Sequence, residues 1–185
     1  MNGYELPSSV SVGGTEYPIR TDYRAVLDVF CVMNDAEIPE QAKNTIFMII
    51  MFPGWRDIPL ESWEEAIKKA CEFIDMGQKD DGKSHPRLVD WEQDAAIIVP
   101  AVNNVAHTEI RALPYMHWWT FWGHFMSIGE SLFSSVLSVR TKKAHHKKLE
   151  KHEEEFYRNN RDIVEIKRKE TAEEKAVKDA MMKWL

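Results

Sequence analysis

The sequence predicts a mainly α-helical protein. Residues 1–140 are expected to form a helical domain with a short N-terminal β-hairpin, and residues 141–185 a charged helical C-terminal extension. Three observations lead to this fold class. Apolar residues recur every three or four positions in most segments, which is the spacing of one helix face. Gly13-Gly14 separates two short alternating runs, which is typical of a hairpin turn. After residue 140, Lys, Glu and Ala dominate and apolar residues become sparse.

The composition is that of an ordinary soluble protein. The chain has 185 residues, of which 44% are hydrophobic and 29% charged. It is therefore long and apolar enough to bury a hydrophobic core within one domain. The longest apolar run, 46–52, is too short to cross a bilayer, and the first residues lack the features of a signal peptide. We therefore expect a cytoplasmic protein that contacts no membrane. Cys31 and Cys71 stand alone in apolar surroundings and are expected to be reduced core residues.

Charge is divided unevenly along the chain. Residues 141–185 contain 13 Lys and Arg against 10 Asp and Glu, a net of +3, whereas residues 1–140 carry a net of −9. An acidic body disfavours nonspecific binding of nucleic acid. The basic run at 142–148 (KKAHHKK) is open to two interpretations, a solvated turn or helix end and a nucleic-acid contact. We favour the first and expect no nucleic-acid partner.

Local signals place the first elements. The hairpin covers residues 10–17, and Pro18 should end its second strand because proline cannot donate to a ladder. Three helices are then predicted, at 21–35, 39–54 and 59–77. The first begins at a Thr-Asp cap, the next two begin at prolines, and the third ends at a glycine.

The middle of the chain begins with a polar stretch, 78–86, that predicts an exposed loop. Asp90 then caps a helix whose apolar stripe reaches Val105. Pro100 lies inside this stripe and should bend or split the helix, because it removes one backbone bond and clashes with the preceding turn. A further short helix is predicted at 132–140.

In the C-terminal extension, apolar residues form a narrow seam suited to packing against one partner, interrupted near Asn159-Asn160. The seam consists of Leu149, Phe156, Ile163 and Ile166. Residues 171–185 predict an amphipathic helix with no obvious place in a core.

Residues 115–126 are the most aromatic stretch, and their large apolar residues follow helical spacing. Leu113-Pro114 suits a helix start and Gly129 a stop. The helix is either the centre of the core, which we favour, or a docking surface for another apolar chain. The candidate partner-binding residues are Trp118, Trp119, Trp122, Phe125 and Met126. Methionines in 48–51 and 116–126 either fill core gaps or adapt a binding surface to a varying partner.

Two groups of histidines are candidate metal ligands. His145, His146 and His152 lie close to Glu153, but neither His-Glu-x-x-His nor Cys-x-x-Cys spacing is present, so we expect solvated side chains and no metal. A second pair lies a heptad apart at 117 and 124, and could be a buried polar pair or the rim of an interface.

Catalytic motifs are absent from the sequence. Neither Gly-x-Ser-x-Gly, a P-loop nor Gly-x-Gly-x-x-Gly occurs. The acids that flank the aromatic stretch are explained by helix dipoles. They are Asp90, Glu92, Asp94 and Glu109. We therefore expect no cofactor and no enzymatic activity, which favours a binding or scaffolding role.

Three segments resemble a bacteriophage family, the gene-product-fifteen family of siphophages and prophages. Residues 17–24 (YPIRTDYR) are similar to its short strand and Thr-Asp-Tyr helix start. Residues 116–121 (MHWWTF) resemble its Leu-His-Trp-Trp-x-Phe signature, and 133–140 (FSSVLSVR) its closing apolar helix. Residues 106–110 (AHTEI) depart from the Tyr-Gly-Ile-Asp-Leu that many members have. The resemblance spans roughly residues 15–170.

The resemblance implies a tail-assembly chaperone, since the family's genes usually lie between the major tail protein and the tape measure. Such a chaperone binds the tape measure protein, keeps it soluble until the tail tube polymerises, and is missing from the mature virion. The C-terminal extension would contact the major tail tube protein or a neighbouring copy in a homo-oligomer. The alternatives are a structural tail or head–tail component retained in the virion, and a small hydrolase.

Overall fold

The computed structural model describes residues 4–78, 82 and 86–167. The mainly α fold is confirmed, with an N-terminal hairpin followed by helices. In this part of the chain the strands are β1 (Ser9–Val12) and β2 (Thr15–Pro18), and the helices are α1 (Tyr23–Asn34), α2 (Glu40–Met51), α3 (Trp63–Ile74), α4 (Ala95–Ala106), α5 (Trp118–Met126), α6 (Leu132–Ala144), α7 (Lys151–Asn159) and α8 (Arg161–Val164).

The hairpin forms as predicted. Val12 pairs with Thr15, and the two turn residues Gly13 and Gly14 have φ values of 57° and 81°. Two consecutive positive φ angles suit a tight two-residue turn, which glycine adopts at little cost. Val10 and Val12 are buried, and β1 lies against α3, which supports a pair of strands that would be marginal alone.

The first three helices follow the predicted order. The Asp22 carboxylate caps α1 by accepting from the backbone N–H of Arg24 at 3.0 Å. After α3, Gly77 has a φ of 72° and its N–H donates to the Glu72 carbonyl at 2.7 Å. The left-handed residue directly after the C-cap Asp75 is however Met76, with a φ of 53° and its N–H donating to the Phe73 carbonyl at 3.1 Å, so the predicted glycine stop lies one residue too late. The predicted start near residue 59 is a separate 3-10 turn, Leu60–Ser62, and α3 itself begins at Trp63.

Pro100 does not split α4, which runs unbroken from Ala95 to Ala106. Pro100 and Ala96 both lie on the exposed side of the helix, so water can satisfy the Ala96 carbonyl that loses its donor. The opposite side is buried at Ile98 and Val102, and this packing keeps the segment helical.

The aromatic helix α5 starts later than predicted. It begins at Trp118, with His117 as its N-cap, and not at Pro114. The residues before it pair with the start of α1: the Tyr23 N–H donates to the Met116 carbonyl at 3.0 Å, and the Trp118 N–H to the Thr21 carbonyl at 2.6 Å. Because the backbone groups of Met116 and Trp118 are bound to residues 21 and 23, a helix cannot extend back from Trp118 to Pro114.

The core is divided into a large cluster around α1 to α5 and a small one further along the chain. The small cluster consists of Val136, Val139 and Val164, with partly buried Leu149, Phe156 and Ile163 packed against it. Three of the four predicted seam residues therefore pack against α6. Since α6 ends at Ala144, the expected division between residues 140 and 141 falls within a helix.

Two predicted segments fall wholly or partly outside the described residues. They are the amphipathic helix at 171–185 and most of the loop at 78–86. Cys31 and Cys71 are both half-buried, and burial raises the pKa of the Cys71 thiol. None of the described helices combines the length and apolarity that a membrane crossing needs.

Candidate protein-interaction surface

The first two motifs singled out in the sequence are joined to each other. Besides the two backbone bonds between them, the Asp22 carboxylate accepts from the Met116 N–H at 3.1 Å as well as capping α1. The Arg24 guanidinium donates to the Leu113 carbonyl at 2.7 Å. Residues 17–24 are therefore held against residues 113–118 by hydrogen bonds of both backbone and side chains.

The third motif ends in Arg140, whose buried guanidinium has all five N–H groups bound. Two donate to the Asp94 carboxylate, at 2.6 and 2.8 Å. The others donate to backbone carbonyls of Leu88, Ile163 and Val164 at 2.7–2.9 Å. The arginine side chain suits this position because its guanidinium is planar and carries five N–H donors. It ties α4, α6 and α8 together.

The sequence did not reveal the Asp94–Arg140 pair. Asp94 was explained by the helix dipole, yet its carboxylate is buried and also accepts from the Asp90 N–H at 2.9 Å. The one available signal was an arginine at the end of the apolar stripe of α6, where a buried position needs an acidic partner.

An aromatic cluster extends from the core to the surface along α5. Its members are Phe30, Trp91, Trp118, Phe121, Trp122, Phe125 and Phe133. Ring centroids lie 5.4 Å apart for Trp118 and Trp122, 5.2 Å for Trp122 and Phe125, and 5.0 Å for Trp91 and Phe125. Such spacing is typical of attractive ring contacts. The cluster therefore packs the inner side of α5 against α1, the turn before α4, and α6.

Trp118 and Trp119 attach α5 to the end of α3. The Trp118 indole N–H donates to the Ile74 carbonyl at 2.8 Å, and that of Trp119 to the Phe73 carbonyl at 2.9 Å. Trp118 is only 1% exposed, and Trp119 is half-buried against the Phe73 ring. Trp118 is thus a core residue and lies outside any accessible surface, although the sequence grouped it with the candidate binding residues.

The remaining candidates reach the surface. Trp122 and Phe125 are half-buried, and Met126 is 66% exposed. Leu132, at the start of α6, is 47% exposed. It directly precedes Phe133, whose ring lies 5.4 Å from that of Phe125. We call Trp91, Trp122, Phe125, Met126 and Leu132 the α5–α6 apolar surface.

Trp91 and Leu132 are the members of this surface that were not among the candidates from the sequence. Trp91 lies in the turn before α4, half-buried, with its ring stacked on Phe30 at 5.7 Å and 6.5 Å from Trp122. In the sequence it looked like one more residue of a helical stripe, because spacing alone does not show that a stripe ends at the surface.

His117 has a structural role. Its Nδ1 accepts from the Trp119 N–H at 3.0 Å, and Nε2 is 3.0 Å from the Pro7 carbonyl, to which it donates. The ring is buried and caps α5, so it is neither an interface rim nor one half of a pair with His124.

The methionines in 48–51 and 116–126 mostly fill the core. Met48, Met51 and Met116 are buried, and Met126 is exposed.

The histidine-rich segment 145–153 is held by ion pairs and hydrogen bonds of its own. Among the described residues, no group of three or more His, Cys, Asp or Glu side chains is arranged to hold a metal ion. His152 and Glu153 line a cleft of about 400 Å³ between α6 and α7, together with three serines. The Glu153 carboxylate accepts from the Lys142 ammonium at 2.7 Å, which lowers the pKa of Glu153, and from the Glu150 N–H at 2.9 Å. Glu153 thus caps α7.

The geometry defines a class of protein: a helical domain with internally satisfied polar motifs and an accessible aromatic and methionine surface. The family described as Bacteriophage Gp15 protein matches residues 4–166, which include all three motifs. The chain belongs to this family and is a bacteriophage protein, so the resemblance seen in the sequence is confirmed. No curated protein and no solved structure matched the chain.

Proposed function

We propose that the protein is a tail-assembly chaperone that binds the tape measure protein and keeps it soluble before the tail tube polymerises. Membership of the Bacteriophage Gp15 family supports this, because the family's usual genomic position implies it. The observation that carries the proposal is the α5–α6 apolar surface, which is accessible on an otherwise acidic body. The proposed role is one of binding, without catalysis, in the host cytoplasm.

The chemistry of the surface suits an extended helical client. A tape measure presents long helices with apolar faces, which aggregate when they are left uncovered. An apolar helix face can lie across Trp122 and Phe125, whose rings are held in place by Trp91 and by the core beneath. Met126 adds a flexible side chain that adapts to differing client residues. The net charge of −6 keeps the loaded complex soluble.

The buried tryptophans have an indirect part in this proposal. Trp118 and Trp119 fix the position of α5 against α3 through their indole N–H groups, so they position the surface and do not form it. Their loss would weaken client binding by disturbing the helix. Trp122, Phe125 and Met126 would contact the client directly, with Trp91 and Leu132 at the edges.

Co-expression with the tape measure protein tests the proposal. The protein should co-purify with it and keep it in the soluble fraction. Met126→Asp and Leu132→Asp place a charge in the contact without disturbing the core, and each should weaken binding by roughly tenfold or more. Leu60→Asp is a matched control, because Leu60 is 73% exposed and lies before α3, at the end remote from α5.

Equal retention of the client by all three variants would contradict the assignment of the surface. Mass spectrometry of purified virions tests the function as a whole, because a chaperone should be missing from them. Stoichiometric amounts in the particles would instead show a structural tail or head–tail component.

A further inference from the structure

The cleft between α6 and α7 is a wide opening beside the small C-terminal cluster. Its volume of about 400 Å³ lies within the range of roughly 300–1,000 Å³ that is typical of ligand sites. Phe156 of α7 lines it and is half-buried, and the buried Val139 of α6 lines it as well. The other α6 residues along the cleft are the serines Ser134, Ser135 and Ser138. Because serine side chains are small, they leave space beside Phe156 that larger side chains would fill.

Polar contacts hold α7 in place without closing this cleft. The Lys142 ammonium donates to the Glu153 carboxylate at 2.7 Å, and the Lys143 ammonium lies 3.7 Å from the centre of the Tyr157 ring. The Tyr157 hydroxyl also donates to the Glu165 carboxylate. Since Lys142 compensates the charge of Glu153, this carboxylate does not exclude an apolar guest from the cleft.

One hydroxyl in the cleft is available to a guest. The Ser134 and Ser135 hydroxyls donate to the Ser131 carbonyl at 2.9 and 3.1 Å. Among the described residues, the Ser138 hydroxyl has no hydrogen-bond partner, and the side chain is exposed. The cleft therefore offers one polar group next to the apolar ring of Phe156, which suits an amphipathic helix.

The cleft is continuous with the α5–α6 apolar surface along one side of α6. Leu132, Ser135 and Val139 are three and four positions apart, so they lie on the same side of the helix. Leu132 belongs to the apolar surface, whereas Ser135 and Val139 line the cleft. At 1.5 Å per residue, Leu132 and Val139 are about 10 Å apart along the helix axis, which corresponds to about two turns of a bound helix.

We propose that the client-binding site continues from the α5–α6 apolar surface over Leu132 into the α6–α7 cleft. There the same client helix packs an apolar side chain against Val139 and Phe156 and places a polar group near Ser138. This inference rests on the proposed function for the identity of the client. It deepens that function by specifying an amphipathic client helix that extends about two turns beyond the apolar surface. Continuity with that surface favours the client over a second copy of the protein as the occupant.

Photo-crosslinking in the full-length protein tests the path of the client. Leu132 or Ser138, both exposed, is replaced by p-benzoylphenylalanine, and each variant is co-expressed with the tape measure protein and irradiated. Mass spectrometry then identifies the linked client residues. We expect both positions to link to one stretch of the client, at sites roughly six residues apart, because Leu132 and Ser138 are about 9 Å apart along α6.

Filling the cleft is an independent test. Ser138→Trp introduces a large side chain from an exposed position and should weaken binding of the tape measure protein roughly tenfold, as the loss of one well-packed contact region does. Ser11→Trp is the matched control, because Ser11 is an exposed serine of β1, in the hairpin that lies against α3. It should leave binding unchanged. Thermal unfolding of both variants verifies that they fold.

The other outcomes overturn the inference and show whether the proposed function falls with it. Links from Leu132 alone, with unchanged binding by Ser138→Trp, contradict the extension into the cleft but leave the function intact. Links from the two positions to distant client segments would show two separate sites. Links to a second copy would make the cleft an interface between copies. Failure of the unmodified protein to co-purify with the tape measure protein contradicts the function and the extension together.

Discussion

The large core and the small C-terminal cluster are stabilised by different means. The first is built from stacked rings and buried methionines, such as the Tyr23–Phe121 pair at 4.6 Å. The second has three buried valines, at 136, 139 and 164, and relies on the Asp94–Arg140 pair beside them. The contrast shows that a region poor in apolar residues can be held by a fully satisfied buried polar network.

The balance of energies explains the contrast. A buried aromatic side chain removes roughly 150–250 Å² from water, which is more than a valine side chain can remove. The small cluster has only three fully buried apolar residues, all of them valines, and so gains less from apolar burial than the large core does. The carbonyls of Ile163 and Val164 are bound by Arg140, so this side chain determines whether α8 stays in place.

The strongest test of the comparison is Arg140→Leu. It should lower the free energy of unfolding by about 3–5 kcal/mol, because it leaves the buried Asp94 carboxylate and three backbone carbonyls without their Arg140 donor. Urea denaturation measures the loss, and hydrogen exchange should show it first in residues 151–165. The double variant Asp94→Leu/Arg140→Leu should recover part of the stability, since no charge is then stranded. A loss below about 1 kcal/mol would show that the pair contributes no more than a surface one.

In the aromatic core, Trp118→Phe should cost about 1–3 kcal/mol, because the buried Ile74 carbonyl loses its donor. Trp119→Phe is the matched control. It removes the same type of bond, to the Phe73 carbonyl, at a half-buried site where water can replace it. Its cost should be less than that of Trp118→Phe, as measured by thermal unfolding. Equal costs would mean that burial of the indole N–H does not distinguish the two residues.

The contact between the first two motifs is tested by Asp22→Ala. The change removes the cap of α1 and the acceptor for the Met116 N–H, and should cost about 1–2 kcal/mol. Asp22→Asn keeps an oxygen acceptor and should cost less. Chemical denaturation compares the two variants, and a similar loss in both would assign the effect to the negative charge instead of the hydrogen bonds.

The smallest effect concerns the connection before α5. The Arg111 side chain and backbone N–H both donate to the Glu109 carboxylate, which holds its pKa at about 2 against an ordinary value of 4.5. The folded state binds this proton less readily than the unfolded state, so the stabilisation is present above pH 4.5 and is lost as pH falls towards 2. An NMR titration of the carboxyl carbon should show the low pKa, and Arg111→Gln should raise it. An unchanged value in that variant would exclude Arg111 as the cause.

Features governed by local chemistry were predictable from the sequence. The Gly13-Gly14 turn and the Asp22 cap depend on neighbouring residues alone, and both were confirmed. The stop of α3 was predicted one residue too late, at Gly77, because Met76 already adopts the left-handed conformation. The seam of the C-terminal extension was also predicted from its spacing, and three of its residues pack against α6.

Features that depend on distant residues were missed. The start of α5 is set by pairing with residues 21–23, and Asp94 meets Arg140 across 46 positions. Periodicity also failed to distinguish Trp118 from Trp122. The two lie one turn apart on the same face, and only the packing of Trp91 and α3 shows where the core ends and the surface begins.

The two backbone hydrogen bonds before α5 form an antiparallel β-bridge between Asp22 and His117, and this bridge has a practical consequence. A chain cut between Gln78 and Pro86 would yield one piece with the hairpin and α1 to α3, and another with α4 to α8. Each piece would carry one side of the bridge, together with matching rings and carbonyls. Such complementary halves could be attached to two phage components, so that reassembly of the domain reports when those components meet inside an infected cell.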